Sequence, residues 1–232
     1  MEEAPLIFHI EGIPPYVTYS WVAMAILIVF AVIVRRRLAF FPSGIQNIAE
    51  IVIDGLHNFS EGGMGHKANR IFFPLIGTLG LYILVCNLMG LIPGFESPTS
   101  NINTTASMAI CVFLSTHYLG IRVHGLKYFG HFFGPIRSIP AIPLMILIFI
   151  IEIIAHFARP VTLSVRLFGN MISKHMMLLI LAILAPLAFY LPLQTPILIL
   201  GVLVGVVQAF VFLLLSTLYL AGAAELEEHE GH

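Results

Sequence analysis

The chain has 232 residues, 59% of them hydrophobic and only 10% charged, with 11 Lys plus Arg against 12 Asp plus Glu. A mean hydropathy of +0.98 excludes an ordinary soluble domain and points to an all-α protein that crosses a lipid bilayer several times. Cys86 and Cys111 each sit alone in an apolar run, which reads as core packing rather than a redox pair or metal ligands.

Residues 1–19 are short and mixed, with Pro5, Pro14 and Pro15, and read as an external surface segment. Glu2 and Glu3 replace the basic start of a cleaved signal peptide, so the first span is expected to stay in the mature protein. That span is Trp21–Val34, extended at its start by Tyr16, and Arg35, Arg36 and Arg37 close it. Tyr16, Tyr19 and Trp21 suit an interfacial aromatic belt.

Residues 43–60 differ. Ile45, Ile48, Val52, Leu56 and Phe59 recur at helical spacing, with Gln46, Asn47, Glu50, Asp54 and His57 between them. This predicts an amphipathic helix lying on the membrane rather than crossing it. A loop is expected from Glu61 to Lys67.

The second span is about Ile71–Ile92, with Asn87 near its far end, and Pro93 to Asn101 reads as a loop. The third span is Thr104–Leu119, whose polar members are read as Ser107, Ser115 and Thr116. Arg122 to Arg137 reads as loop with interfacial helix. Then comes a segment at about 142–184, far longer than the ~20 residues a perpendicular span needs. It carries Glu152, His156, Arg159 and Arg166, so it must tilt, bend at Pro160 or lie against protein. Pro186, Pro192 and Pro196 are expected to bound a turn before a last helix at 197–223, and an acidic tail, 225–232, leaves the membrane. The expectation is one membrane domain, 1–232, with five crossing helices. Two of them form a long tilted hairpin, and the helix near 43–60 is interfacial.

Eight of the eleven basic residues, Arg35, Arg36, Arg37, Lys67, Arg70, Arg122, Lys127 and Arg137, then fall on one face. The positive-inside rule puts that face in the cytoplasm, with the N-terminus outside and the C-terminal tail cytoplasmic. The other three, Arg159, Arg166 and Lys174, lie in the long helix.

A guanidinium in a hydrocarbon-embedded helix costs several kcal/mol and needs a partner charge, a water-filled path or both. Glu152 is the only acidic residue near Arg166 in sequence. At about 100° per residue, Asn170, Ser173, Arg159 and Glu152 fall within about 40° of Arg166, whereas His156 and Lys174 lie near 80° and His175 on the opposite side. Gln208 sits in the middle of the last helix, with Gly201 and Tyr219 within about 20° of it. Gly201 and Gly205 form a small-xxx-small pair that admits a neighbouring helix. Polar groups thus lie on both sides of Arg166, and they can hold water in two partial pathways meeting at a fixed positive charge. No phosphate loop, Ser-His-Asp set or credible metal spacing appears, so no cofactor, metal, nucleic-acid partner or self-contained enzyme activity is expected.

Pro160 to Met171, with Arg166-Leu167-Phe168-Gly169-Asn170 at its centre, resembles the signature of subunit a of F-type rotary ATP synthases. Cys86 to Pro93, Asn101 to Thr105 and Gln208 to Leu220 resemble further stretches of that subunit, in order and over nearly the whole chain. The resemblance implies a proton-channel stator in the inner (plasma) membrane of a bacterium. Its partners would be a ring of rotor subunit c, the peripheral stalk subunit b and the other synthase subunits. Arg166 would face the rotor ring, flanked by Asn170 and Gln208. Glu152 would belong to the cytoplasmic half-channel and His175 to the outer one. Ser173, Lys174, Asn87, His156 and Tyr219 complete the expected proton pathway. Gly201 stands where some members carry His or Glu, so His175 has no titratable partner there. Two other readings remain open at this stage: Na+ as coupling ion, and a secondary transporter with a central anion-binding Arg.

Overall fold

The structure is a computed structural model and describes residues 12–36, 38, 44–92, 95–125, 128, 142–184 and 187–224. Six helices carry the chain: α1 Pro15–Arg36, α2 Ile45–Met64, α3 His66–Met89, α4 Ile102–His124, α5 Ile142–Leu184 and α6 Leu187–Ala224. Among the described residues, five helices are long and apolar enough to cross a membrane, and α2 is not one of them. That is the expected all-α architecture. The expected N-terminal segment lies mostly outside the described residues, as do Arg37, Lys127, Arg137, nearly all of the 126–141 segment and the acidic tail.

Successive spans run antiparallel, so the molecule has two ends. One carries Arg35, Arg36, Lys67, Arg70 and Arg122 and is called the basic end here. The other carries the 3₁₀ turn Pro98–Ser100 and is called the loop end. At the loop end Tyr19 of α1 is fully buried against Cys86 and Met89 of α3, and its ring meets Phe95 at 5.6 Å. In the middle, Ile83 of α3, Met108 and Val112 of α4, Leu163 and Leu167 of α5, and Ala209 and Phe212 of α6 form one cluster. Nearer the basic end, Met64, Phe72, Ile76, Leu119, Leu213 and Leu220 form another. In a bilayer such packing acts through dispersion contacts and close fit, because lipid tails are as apolar as these side chains.

The α2–α3 corner turns on Gly65, whose φ of +76° is a conformation favouring glycine. The expected loop at Glu61–Lys67 is therefore helical on both sides of a single residue. Its polar groups pair locally. Glu61 meets His66 at 2.7 Å and His57 at 3.5 Å, and Asn69 donates to the His57 carbonyl at 3.3 Å. These side-chain contacts tie the end of α2 to the start of α3 across Gly65.

The last helix also departs from expectation. It begins at Leu187, and its helical backbone runs through Pro192 and Pro196 instead of starting at 197. Each proline removes one backbone donor near the helix start. Membrane helices tolerate that loss, because apolar surroundings penalise unwinding the rest of the backbone.

Helix α5 has 43 residues and is roughly 65 Å long at 1.5 Å per residue. That is about twice a bilayer's hydrocarbon thickness. Pro160 within it cannot donate to the carbonyl of His156, and nearby Thr162 returns its hydroxyl to the Ala158 and Arg159 carbonyls.

Candidate functional site

The site is the antiparallel seam of α5 and α6. Three contacts set its register: Arg159 over the ring of Tyr219, Asn170 on Gln208, and the Lys174 stem beside Gly201. Helix α5 has two faces. Leu163, Ser164, Leu167 and Met171 are buried against α4 and α6, and Ser164 meets Thr105 of α4 at 3.1 Å. The other side, with Thr162, Val165, Arg166, Ser173 and Met176, is exposed, and Asn170 at its margin is exposed as well. Arg166 therefore projects from an apolar surface rather than into the bundle.

No carboxylate among the described residues ion-pairs with Arg166. Glu152, its one acidic neighbour in sequence, has a carboxylate oxygen 3.4 Å from His156 Nδ1. An internal partner thus does not account for the charge of Arg166.

On the loop-end side of Arg166 lies a cavity of about 220 Å³ between α3, α5 and α6. Asn87, Asn170, Ser173, Lys174 and Gln208 are its polar lining residues, among Met171, Met177, Leu200 and Val204. Asn87 is held from both sides. It donates to the Gly205 carbonyl at 3.2 Å and accepts from Thr99 Oγ1 at 2.8 Å. Thr99 is in turn 2.8 Å from Ser97, which donates to the Cys86 carbonyl. Asn170 donates to Gln208 Oε1 at 2.7 Å. Two donors in this wall, Gln208 Nε2 and Lys174 Nζ, are buried without a protein partner among the described residues. Buried donors of that kind bind water.

The two glycines have specific reasons. A Cβ on Gly201 would stand 2.7 Å from Leu91 Cδ2 and 3.2 Å from Lys174 Cδ. A Cβ on Gly205 would stand 3.2 Å from that of Asn87. The first gives the lysine stem its seat, and the second lets α3 approach α6. His175 does not line the cavity.

On the basic-end side the structure gathers Glu152, His156, Arg159 and Tyr219. His156 Nδ1 lies 3.2 Å from the Glu152 carbonyl, and Arg159 lies 5.2 Å from the Tyr219 ring centroid. The structure adds His117 of α4, whose ring centre is 5.5 Å from that of His156. The sequence reading counted only Ser107, Ser115 and Thr116 in that span and passed over His117. It also missed Ser97, Thr99, Thr105 and Ser164. A histidine inside an apolar span was the available signal for His117. The others are small hydroxyls, which carry none until the fold pairs them.

The fold and seam define a polytopic helical membrane protein with polar side chains along its last two helices and an arginine that no carboxylate pairs among the described residues. The family model described as the ATP synthase A chain matches residues 17–221. ATP synthase subunit a of Trichlorobacter lovleyi is 50% identical over 209 residues, covering 90% of this chain and 86% of that protein. The subunits a of Geobacter sulfurreducens and Geotalea uraniireducens are 48% and 46% identical, covering 90% and 93% of this chain. The chain belongs to the ATP synthase subunit a family.

Proposed function

We propose that this chain is the proton-conducting stator of a bacterial rotary ATP synthase, non-catalytic on its own, with Arg166 as the residue that meets the rotor. The carrying observation is Arg166 on the exposed side of α5, between two polar clusters and without a paired carboxylate among the described residues. The exposed apolar strip around it is the surface offered to a ring of c subunits, and subunit b and the other synthase subunits complete the assembly. In this reading the basic end is cytoplasmic, the N-terminus is outside, and the membrane is the bacterial inner membrane.

A rotor carboxyl in lipid rides protonated, because a bare carboxylate there is too costly. Opposite Arg166 the ionised form is stabilised by the guanidinium, and the proton leaves. The basic-end groups Glu152, His156 and Tyr219 take it toward the cytoplasm in one direction of rotation. Asn87, Asn170, Ser173, Lys174, His175 and Gln208 serve the opposite compartment. Arg166 blocks a direct hop between the two paths. Each proton crossing releases about 2.3 kcal/mol per 100 mV, so several must be combined for one ATP, whose chemistry lies on other subunits.

The test is Arg166→Ala in membrane vesicles carrying the whole complex. ATP synthesis and ATP-driven proton pumping are expected to stop, while hydrolysis by the detached catalytic head persists. Near-normal synthesis at an equal amount of complex overturns the reading.

A further inference from the structure

We infer that His117 of α4 is a proton-relay residue, paired with His156, so that the basic-end pathway runs between α4 and α5 rather than along α5 alone. This rests on the proton-channel reading above.

The two imidazoles meet edge to face, with centroids 5.5 Å apart at an interplanar angle of 86°. Each is fixed by its own helix. His117 Nδ1 is 3.1 Å from the Phe113 carbonyl, and His156 Nδ1 is 3.2 Å from the Glu152 carbonyl. A carbonyl accepts and cannot donate, so Nδ1 keeps its hydrogen in both rings, and proton exchange falls to Nε2. Beside the pair is a space of about 10 Å³, near the size of one water centre. His117, His156, Thr116, Arg159 and Tyr219 are its polar walls, and the rest are apolar, including Val112, Phe113 and Leu163. Thr116 already gives its hydroxyl to the Val112 carbonyl. The imidazoles are thus the walls best suited to trade a proton with water.

The ionisable groups around the pair, among the described residues, come from three sides. Helix α5 presents Glu152 and Arg159, α6 presents Tyr219, and Tyr128 beyond α4 stands edge-on to His117 at 5.9 Å. Burial pushes the Tyr128 phenol up, so it stays neutral at neutral pH. Transfer needs no further reagent. The imidazolium of one ring gives its Nε2 proton to a water, which passes a proton on to the other ring. The first ring ends neutral, the second ends charged, and the water is unchanged.

Packing alone makes a different demand on His117, which also stacks on Phe113 at 4.2 Å. Phenylalanine satisfies packing but carries no proton. The experiment uses inverted vesicles with the membrane sector intact and the catalytic head stripped off. A potassium diffusion potential drives passive proton conductance from pH 6 to 8.5, normalised to the amount of complex. His117→Phe is expected to lower conductance on the order of tenfold or more, the scale of a lost acid–base group. His156→Phe is expected to do the same, and the double variant to fall no further, as for residues acting in series. Imidazole added to the buffer is expected to restore conductance to His117→Ala. Unchanged conductance and pH profile in His117→Phe overturn the relay. So does a loss equal at every pH and unaffected by imidazole, which marks a packing residue. Arg166→Ala pumping in parallel separates the two readings: a defect there with normal His117→Phe sinks the relay alone.

Discussion

Asn170 and Gln208 join an exposed side chain to a buried one. Asn170 stands at the margin of the exposed side of α5 one turn from Arg166, and its amide donates at 2.7 Å to Gln208, which is 4% exposed. The bond clamps the two long helices beside the arginine. It leaves Gln208 Nε2 facing no protein acceptor among the described residues. One amide thus both fixes the seam and offers a donor to the cavity.

A double-mutant cycle isolates the clamp. Asn170→Ala and Gln208→Ala are each expected to reduce ATP synthesis and to be clearly non-additive together. Coupling through one interhelical hydrogen bond in a membrane is worth about 0.6 kcal/mol and at most about 1.7. Additive losses, measured as synthesis rates at equal complex, show that the two act separately.

Lys174 and His175 make a second comparison. The amine of Lys174 is buried in the cavity wall, and His175 is off it. His175→Ala is expected to slow proton delivery with the complex still assembled. Lys174→Met keeps the stem against Gly201 and removes a buried donor, so assembly holds or improves while ATP-driven pumping falls further than in His175→Ala. Pumping rates in vesicles across the pH range decide it. A larger loss at 175 moves the path to the other face of α5.

Much of this was legible in the chain. Apolar runs and prolines marked the five spans, and the polar interruptions within an apolar helix put Arg166, Asn170 and Glu152 in one stripe. What sequence missed depended on tertiary approach. Thr99 and Ser97 are ordinary loop residues until the 3₁₀ turn folds back onto Asn87 and Cys86. His117 has meaning only opposite His156. The start of α6 was misjudged because proline was weighed as in water, where a freed carbonyl can be solvated.

Close helix approach gives a stability prediction. Gly205 leaves no slack, since its Cβ would stand 3.2 Å from Asn87 Cβ, with the Asn87 backbone at 4.0 Å. Gly205→Val therefore wedges α3 from α6 and strains the Asn87 hydrogen bond to the 205 carbonyl. Overpacking of this kind costs about 1–3 kcal/mol. Less assembled complex and a lower melting temperature in detergent are expected. Wild-type values for both show that the helices can part freely.

Arg166→Lys separates charge from group chemistry. Both side chains are cationic in water, so a site needing only a positive point would accept either. Arg166 sits in an apolar helix with the exposed Val165 next to it, and no ion pair stabilises its charge among the described residues. A guanidinium is weakly hydrated and stays ionised there, and its planar fork can hold a carboxylate through two bonds. An ammonium is compact and strongly hydrated, and it gives up its proton when desolvated. Lysine at 166 can therefore become neutral between rotor passages, offering no barrier to a direct hop and no fixed charge to the next carboxyl. The expected phenotype is an assembled complex with little ATP synthesis and a passive proton leak larger than wild type. Synthesis near wild type in Arg166→Lys vesicles, beside a dead Arg166→Ala, shows that charge alone suffices at this position.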